Sequence, residues 1–250
     1  MKKIFLILLL VFLLVGFFII VRKINIQKSP EAKIRGLILP HHELAKELLH
    51  SSFKRVKESF NPDVIVIFGA NHYFPEGETF TTTEEIKNEF KLESVLGDDK
   101  RIQNEHSIQT LVPYLTEYFP DAKLIPVIVS ENYLSLKNLN NFVTIFIKNF
   151  KVEKTLFIAS VDFAHNVSLE EGLNKNKESI NNISNFNYVE ILKYKDDHMD
   201  SPASIATLLL IMQELGAHNW ETWYSSHGAL ITNKLDLSGT SYVIGSFVER

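Results

Sequence analysis

Six short runs rich in apolar and aromatic residues, bounded by Gly, Pro or Asn, constrain this chain most: residues 34–39, 64–68, 124–129, 155–160, 220–225 and 241–248. Each is too short for a helix that buries itself alone, and most are apolar without alternation, the pattern of a strand covered on both faces. Between them apolar residues recur at helical spacing: Leu44, Leu48, Leu49, Phe53 and Val56; Ile108, Leu111, Val112 and Leu115; Ile205, Leu208, Leu209 and Met212. Strands alternating with helices predict an α/β fold, a single domain over residues 34–250 with a central mostly parallel or mixed sheet flanked by helices. A length of 250 residues with 45% hydrophobic side chains suits that expectation. Residues 171–187, rich in Asn, Lys, Glu and Ser, read as a surface excursion, and residues 73–85 as a hairpin or flap.

Residues 4–21 form an unbroken apolar run between Lys2-Lys3 and Arg22-Lys23. A run of about 18 residues is near the length of a transmembrane helix, and no A-x-A-like cleavage site follows it. The sequence therefore predicts an N-terminal membrane anchor over residues 1–24, a linker over 25–33 and an extracytoplasmic domain, with secretion after signal cleavage as the alternative. Of 26 basic and 30 acidic side chains, seven basic and one acidic fall in residues 1–35, leaving 19 against 29 in the remainder. An acidic domain repels phosphate backbones, which excludes nucleic acid as the expected partner. Cysteine is absent, so disulfides, thiolate nucleophiles and zinc-thiolate sites are excluded. There is no P-loop, GxSxG elbow or GxGxxG motif either.

Three of the nine histidines directly follow predicted strands: His41 after Pro40, His72 after Gly69-Ala70-Asn71, and His165 in the Asp162-x-x-His165 loop. Taken singly, each is explained as a loop residue. Three in equivalent places point to one sheet edge, where α/β folds collect their sites, and neutral imidazole is the commonest side-chain metal ligand. Asn104 reads as the N-cap of a helix, with Glu105 and His106 as groups that support ligands or contact substrate if that helix start faces the strand ends. Ser201 and Pro202 read as N-cap and first residue of the apolar helix after Asp200, whose carboxylate is then near enough to join the histidines. His227 is a further candidate at the same edge, though a solvated turn explains it as well. His50 and His218 read as surface residues.

The order of Pro40-His41, Gly69-Ala70-Asn71-His72, Glu105-His106-Ser107-Ile108-Gln109, Ser160-Val161-Asp162-Phe163-Ala164-His165 and the closing Val243-Ile244-Gly245-Ser246 strand resembles the MEMO family. Its bacterial and archaeal members are called AmmeMemoRadiSam system protein B. The resemblance implies a fold like that of class III extradiol dioxygenases, with metal held by the histidines matching His41 and His72 and by a later cysteine, and with the residues matching Asp162 and His165 alongside. This chain lacks the cysteine. Asp200 falls near its place, with Ser201 as the other candidate. With Asp200 the set becomes two histidines and a carboxylate, as in non-haem Fe(II) oxygenases, which favours Fe(II), Zn(II) or Mn(II) over copper.

The expected function is that of a metal-dependent oxidoreductase of dioxygenase type, with His165 as general acid/base oriented by Asp162 and the small-molecule or peptide ligand unidentified. The alternatives are a non-catalytic, membrane-tethered binding protein on the same fold and a metal-assisted hydrolase.

Overall fold

The computed structural model describes residues 33–74, 78–131, 134–150 and 152–249, and Lys33–Glu249 form one compact unit. All six expected strands are present: β1 (Lys33–Leu39), β2 (Val64–Ala70), β5 (Lys123–Val129), β6 (Thr155–Ser160), β7 (Asn219–His227) and β8 (Ser241–Glu249), with two short additions, β3 (Phe80–Thr82) and β4 (Leu96–Gly97). They form one mixed sheet in the order β4-β3-β5-β2-β6-β1-β8-β7. Its centre, β5-β2-β6-β1, is parallel, while β8 runs antiparallel to β1 and β3 antiparallel to β5.

The unbroken apolar runs are explained by cover on both faces. On one face Leu49, Phe53 and Val56 of helix α1 (Lys46–Ser59) join Leu37, Ile65, Ile67 and Ile158. On the other, Phe142 and Phe146 of α2 (Leu136–Asn149), Ile183 of α3 (Leu169–Ser184) and Ile205–Met212 of α4 (Pro202–Glu214) join Val66, Phe68 and Phe157. Each large apolar side chain so buried contributes roughly 1.5–3 kcal/mol.

The polar stretch read as a surface excursion is instead α3. Its inward stripe is Gly172, Asn176, Ser179 and Ile183, which has helical spacing but little hydrophobicity. Buried Asn176 substitutes hydrogen bonds for apolar contact: its amide donates to the Tyr242 carbonyl at 3.1 Å and accepts from Ser241 Oγ at 2.8 Å. The hairpin expected over residues 73–85 is also corrected, because Phe80–Thr82 crosses the sheet to pair with β5 and Thr83 then caps the helix Glu84–Glu89.

The expected anchor over residues 4–21 lies outside the described residues. Among the described residues no helix is long and apolar enough to cross a membrane. The most apolar, α4, has 13 residues, about 20 Å against a hydrocarbon core of about 30 Å, and its sides pack within the domain. The described residues thus give no support to the expected membrane anchor or to the extracytoplasmic placement built on it.

Gly69, next to last in β2, admits the following chain. A Cβ there would meet Ser107 Oγ and lie 2.8 Å from Ile108 Cδ1, on the helical turn His106–Gln109. Ser107 Oγ is fixed by its hydrogen bond to the Ala70 carbonyl at 2.9 Å, so it has little freedom to yield. Gly69→Ala is expected to lower unfolding free energy by about 1–3 kcal/mol, read from the denaturant midpoint at unchanged slope.

Candidate metal centre

Strands β2, β6 and β1 are adjacent and parallel, with Gly69 beside Ser160 and Ser160 beside Leu39. The residues leaving their carboxyl ends, His72, Asp162 and His41, therefore reach the same edge. Asp200 arrives from the opposite direction. Its backbone N–H donates to the Asp162 carbonyl at 3.0 Å, and Ser201 caps α4 by accepting from Ser204 N at 3.3 Å. Together they line a cavity of about 670 Å³ with His106, His165, Asn71, Ser130, Glu131 and Asp196 among its other walls.

Two imidazoles present their Nε2 atoms to one carboxylate. Asp200 Oδ2 lies 3.0 Å from His41 Nε2 and 3.5 Å from His72 Nε2. Each ring is held from behind. His72 Nδ1 donates to Glu105 Oε1 at 2.7 Å, and Glu105 also accepts the backbone N–H groups of His72 at 2.9 Å and Ser107 at 3.1 Å. Ser160 Oγ donates its proton to the Ser107 carbonyl at 2.5 Å, so toward His41 Nδ1, 3.3 Å away, it acts as acceptor. Both rings thus keep Nδ1–H turned away and direct Nε2 into the cavity, the arrangement in which outer partners orient a metal-binding histidine. Asn71 steadies the β2 exit by donating to Ser130 Oγ at 2.7 Å and accepting from Phe74 N at 3.0 Å.

The electrostatics follow from these contacts. Burial works against charge on His72, yet Asp200 and Glu105 outweigh it and raise the imidazole to about 9. Burial likewise opposes charge on His41, where Asp200 and then Asp162 prevail and raise it. Asp200 is held at about 2, burial being overcome by the two imidazoles. His106, its ring tilted against that of His72 with centroids 4.0 Å apart, is pushed down to about 4 by burial and by its charged neighbours His72 and His41. Burial raises the Asp162 carboxyl.

A family model described as Memo-like protein matches residues 79–236. The chain belongs to that family. The matched span contains Glu105, His106, Asp162, His165 and Asp200, while His41 and His72 precede it. A MEMO1 family protein of Aquifex aeolicus is 30% identical over 158 residues, covering 56% of this chain and 41% of that protein. One from Saccharolobus solfataricus is 26% identical, covering 67% and 66%, and one from Methanopyrus kandleri is 24% identical, covering 84% and 80%. The matched region is thus less than two thirds of the length of the first two relatives. An uncharacterized Escherichia coli protein, JW3007, shares the fold at a TM-score of 0.58 and 13% identity, covering 86% of this chain and all of that one.

The Memo-like residues present fit a divalent metal. Both carboxylate oxygens of Asp200 are buried, and the polar atoms facing them are the His41 and His72 Nε2 atoms beside Oδ2, so the carboxylate is satisfied only when those rings carry protons or a cation takes the protons' place. Donors about 2.0–2.2 Å from one ion stand roughly 3–3.5 Å apart, and the Asp200 oxygen stands at that distance from each of the two Nε2 atoms. Two overlapping groups have suitable spacing, His41 with His72 and His106, and His41 with Asp162 and Asp200. Ser201 has committed its hydroxyl, donating to Ser204 Oγ at 2.7 Å.

Three expectations are corrected. Asp162 does not orient His165: its Oδ1 accepts the backbone N–H of His41 at 3.1 Å, and among the described residues the His165 ring has no hydrogen bond. His227 is not at the cavity. It is fully buried, packs against Gly172 and Gly239, and caps the turn Gly228–Ile231 by accepting from Ala229 N at 3.1 Å. The N-cap beside the site is Glu105, not Asn104, which ends the preceding helix Asp99–Asn104. Sequence reasoning also missed Glu131, an isolated polar letter, and the part played by Ser160, which it read only as the start of the Ser160–His165 motif.

Proposed function

We propose that this protein is a metal-dependent oxidoreductase of extradiol-dioxygenase type, with the metal, Fe(II) in first preference, held by His41, His72 and Asp200. The observation that carries the reading is the convergence of two rear-anchored imidazoles on one buried carboxylate. Two histidines and a carboxylate suit non-haem Fe(II), which when bound supplies a Lewis acid and a site for dioxygen chemistry. The chain's own groups supply the proton handling. His106, whose ring lies beside His72 and lines the cavity, accepts a hydroxyl proton from the substrate at an imidazole nitrogen. His165, with its ring free among the described residues, lines the same cavity and returns a proton to the product. Asp162 holds the His41 backbone and thereby the ring's approach to the cavity.

The test uses the full chain, purified with its metal, supplied with a simple catechol in an oxygen electrode. One metal per chain is expected, with dioxygen uptake matched to catechol consumed and none without oxygen. No dioxygen uptake by the metal-loaded protein, or catechol consumption that continues anaerobically, would overturn the dioxygenase reading.

A further inference from the structure

Strand β7 closes one end of the sheet and pairs with β8 along its nine residues, Asn219–His227, while the strand at the other end, β4, has only two. A long open edge is a template for another chain, and proteins commonly guard such edges with lysine or proline, neither of which occurs in β7. A register shift between Thr222 and Tyr224 bends the strand and leaves Tyr224–His227 as a regular half.

The segment that follows this half exposes apolar surface. Of the nine large apolar side chains exposed among the described residues, five fall within residues 224–237: Tyr224, Leu230, Ile231, Leu235 and Leu237, with Leu235 58% exposed. The segment is nonetheless fixed. Lys234 N donates to the Ala229 carbonyl at 2.9 Å and Leu237 N to that of Lys234 at 3.2 Å, while Gly239 and Val167 exchange backbone bonds at 2.9 and 3.2 Å. Apolar surface held in the open by backbone hydrogen bonds is the mark of a docking face.

Charge decides what docks there. Residues 36–250 carry 19 basic and 29 acidic side chains, so two copies of the chain repel one another over most of their surface. Residues 219–240 are different. Their only charged side chains are Glu221, Lys234 and Asp236, and Arg55 lies 3.3 Å from Glu221, so the face is balanced. Lys234 and Asp236 are both exposed and flank Leu235. A two-fold axis at Leu235 sets Lys234 of each copy against Asp236 of the other.

We propose that this face joins two copies of the chain in a two-fold symmetric dimer, with the Leu230–Leu237 segments packed on one another beside the β7 edges. Such a contact is isologous: each residue meets its reciprocal, and a pattern of opposite charges around one apolar side chain is its own complement. A strongly acidic or basic partner finds no net charge here to recognise.

Sedimentation velocity of the full chain in non-ionic detergent, at about 10 μM, should show the dimer. Lys234→Asp and Asp236→Lys each place like charges opposite one another and should weaken it about ten-fold or more, whereas the double exchange Lys234→Asp/Asp236→Lys should restore it. Mixing the two single variants should restore it as well, as a heterodimer. All four chains share residues 1–32, so association through that region would be equal in all of them. The chain has no cysteine, and Leu235→Cys therefore offers a single cross-linking position: oxidation should join two copies there, and not in the control Val189→Cys, placed on an exposed residue elsewhere. A monomeric unaltered chain, a dimer indifferent to the single exchanges, one that neither the double exchange nor mixing restores, or cross-linking at residue 189 in place of 235 overturns the inference.

Discussion

Alanine at either His41 or His72 is expected to abolish stoichiometric metal binding while leaving the far-ultraviolet dichroism of the domain unchanged. Both residues sit beyond the ends of their strands, so neither side chain contributes to the hydrophobic clusters that hold the sheet. Loss of an outer partner of a metal ligand costs about 10–100-fold in affinity, and loss of a ligand itself should exceed that. Elemental analysis of the purified variants decides it: full metal content in both would mean that the ligand set is wrong. Asp200 adds a sharper arm. Asp200→Ala should weaken binding, whereas Asp200→Cys restores a donor of different character. A thiolate between the same two imidazoles should move preference from Fe(II) toward Zn(II) and Cu(I), because soft ligands favour soft ions. Competition between Fe(II) and Zn(II) in the two proteins reads that shift. An unchanged ratio would show that Asp200 does not touch the metal, leaving His106 as the third donor in the alternative group.

Much of this centre could be read from the chain before any coordinates, for an identifiable reason. A parallel strand buried on both faces is a continuous apolar run, and the first polar residue after it must leave the sheet at the carboxyl edge. His41, His72 and Asp162 announce themselves in that way. Glu105 reads from the sequence only as a helix-start group able to support a ligand, whereas the extended backbone (φ −81, ψ 110) that makes it the N-cap itself and sets it behind His72 has no sequence signal. Ser160 is likewise silent, since its effect on His41 depends on which carbonyl takes its proton. Helix α3 was hidden by the chemistry of its buried face. Asn176 and Ser179 meet the sheet through polar or small side chains, so a search for hydrophobic spacing finds only a charged surface segment. His227 shows the reverse error, where a polar letter after a strand proves to be a buried cap.

The metal-free and metal-bound proteins should respond to pH in opposite senses. Without metal, His72 is raised from 6.5 to about 9 because Asp200 and Glu105 outweigh burial, and His41 is raised beside it. A group whose pKa rises on folding contributes stability that is fully present below its unfolded value and is lost as pH climbs through the folded one. The metal-free protein should therefore lose stability between about pH 6.5 and 9, by at most about 3 kcal/mol from His72. Asp200, lowered from 3.8 to about 2, acts at the other end: its contribution is present above 3.8 and fades as pH falls through about 2. A metal must take the Nε2 positions that those protons occupy. Affinity should accordingly rise with pH, about ten-fold per pH unit for each proton released, and level off above about 9. Calorimetry in buffers of different ionisation enthalpy counts the released protons directly. Glu105→Gln separates this account from a merely structural role for Glu105. Without the carboxylate behind it, His72 should lose its proton at lower pH, so the plateau is reached earlier, while the plateau affinity itself falls about 10–100-fold. A variant that lowers the plateau without moving its onset would show that Glu105 only positions the ring, and binding with no proton release at pH 7 would remove the imidazolium pair from the metal-free state.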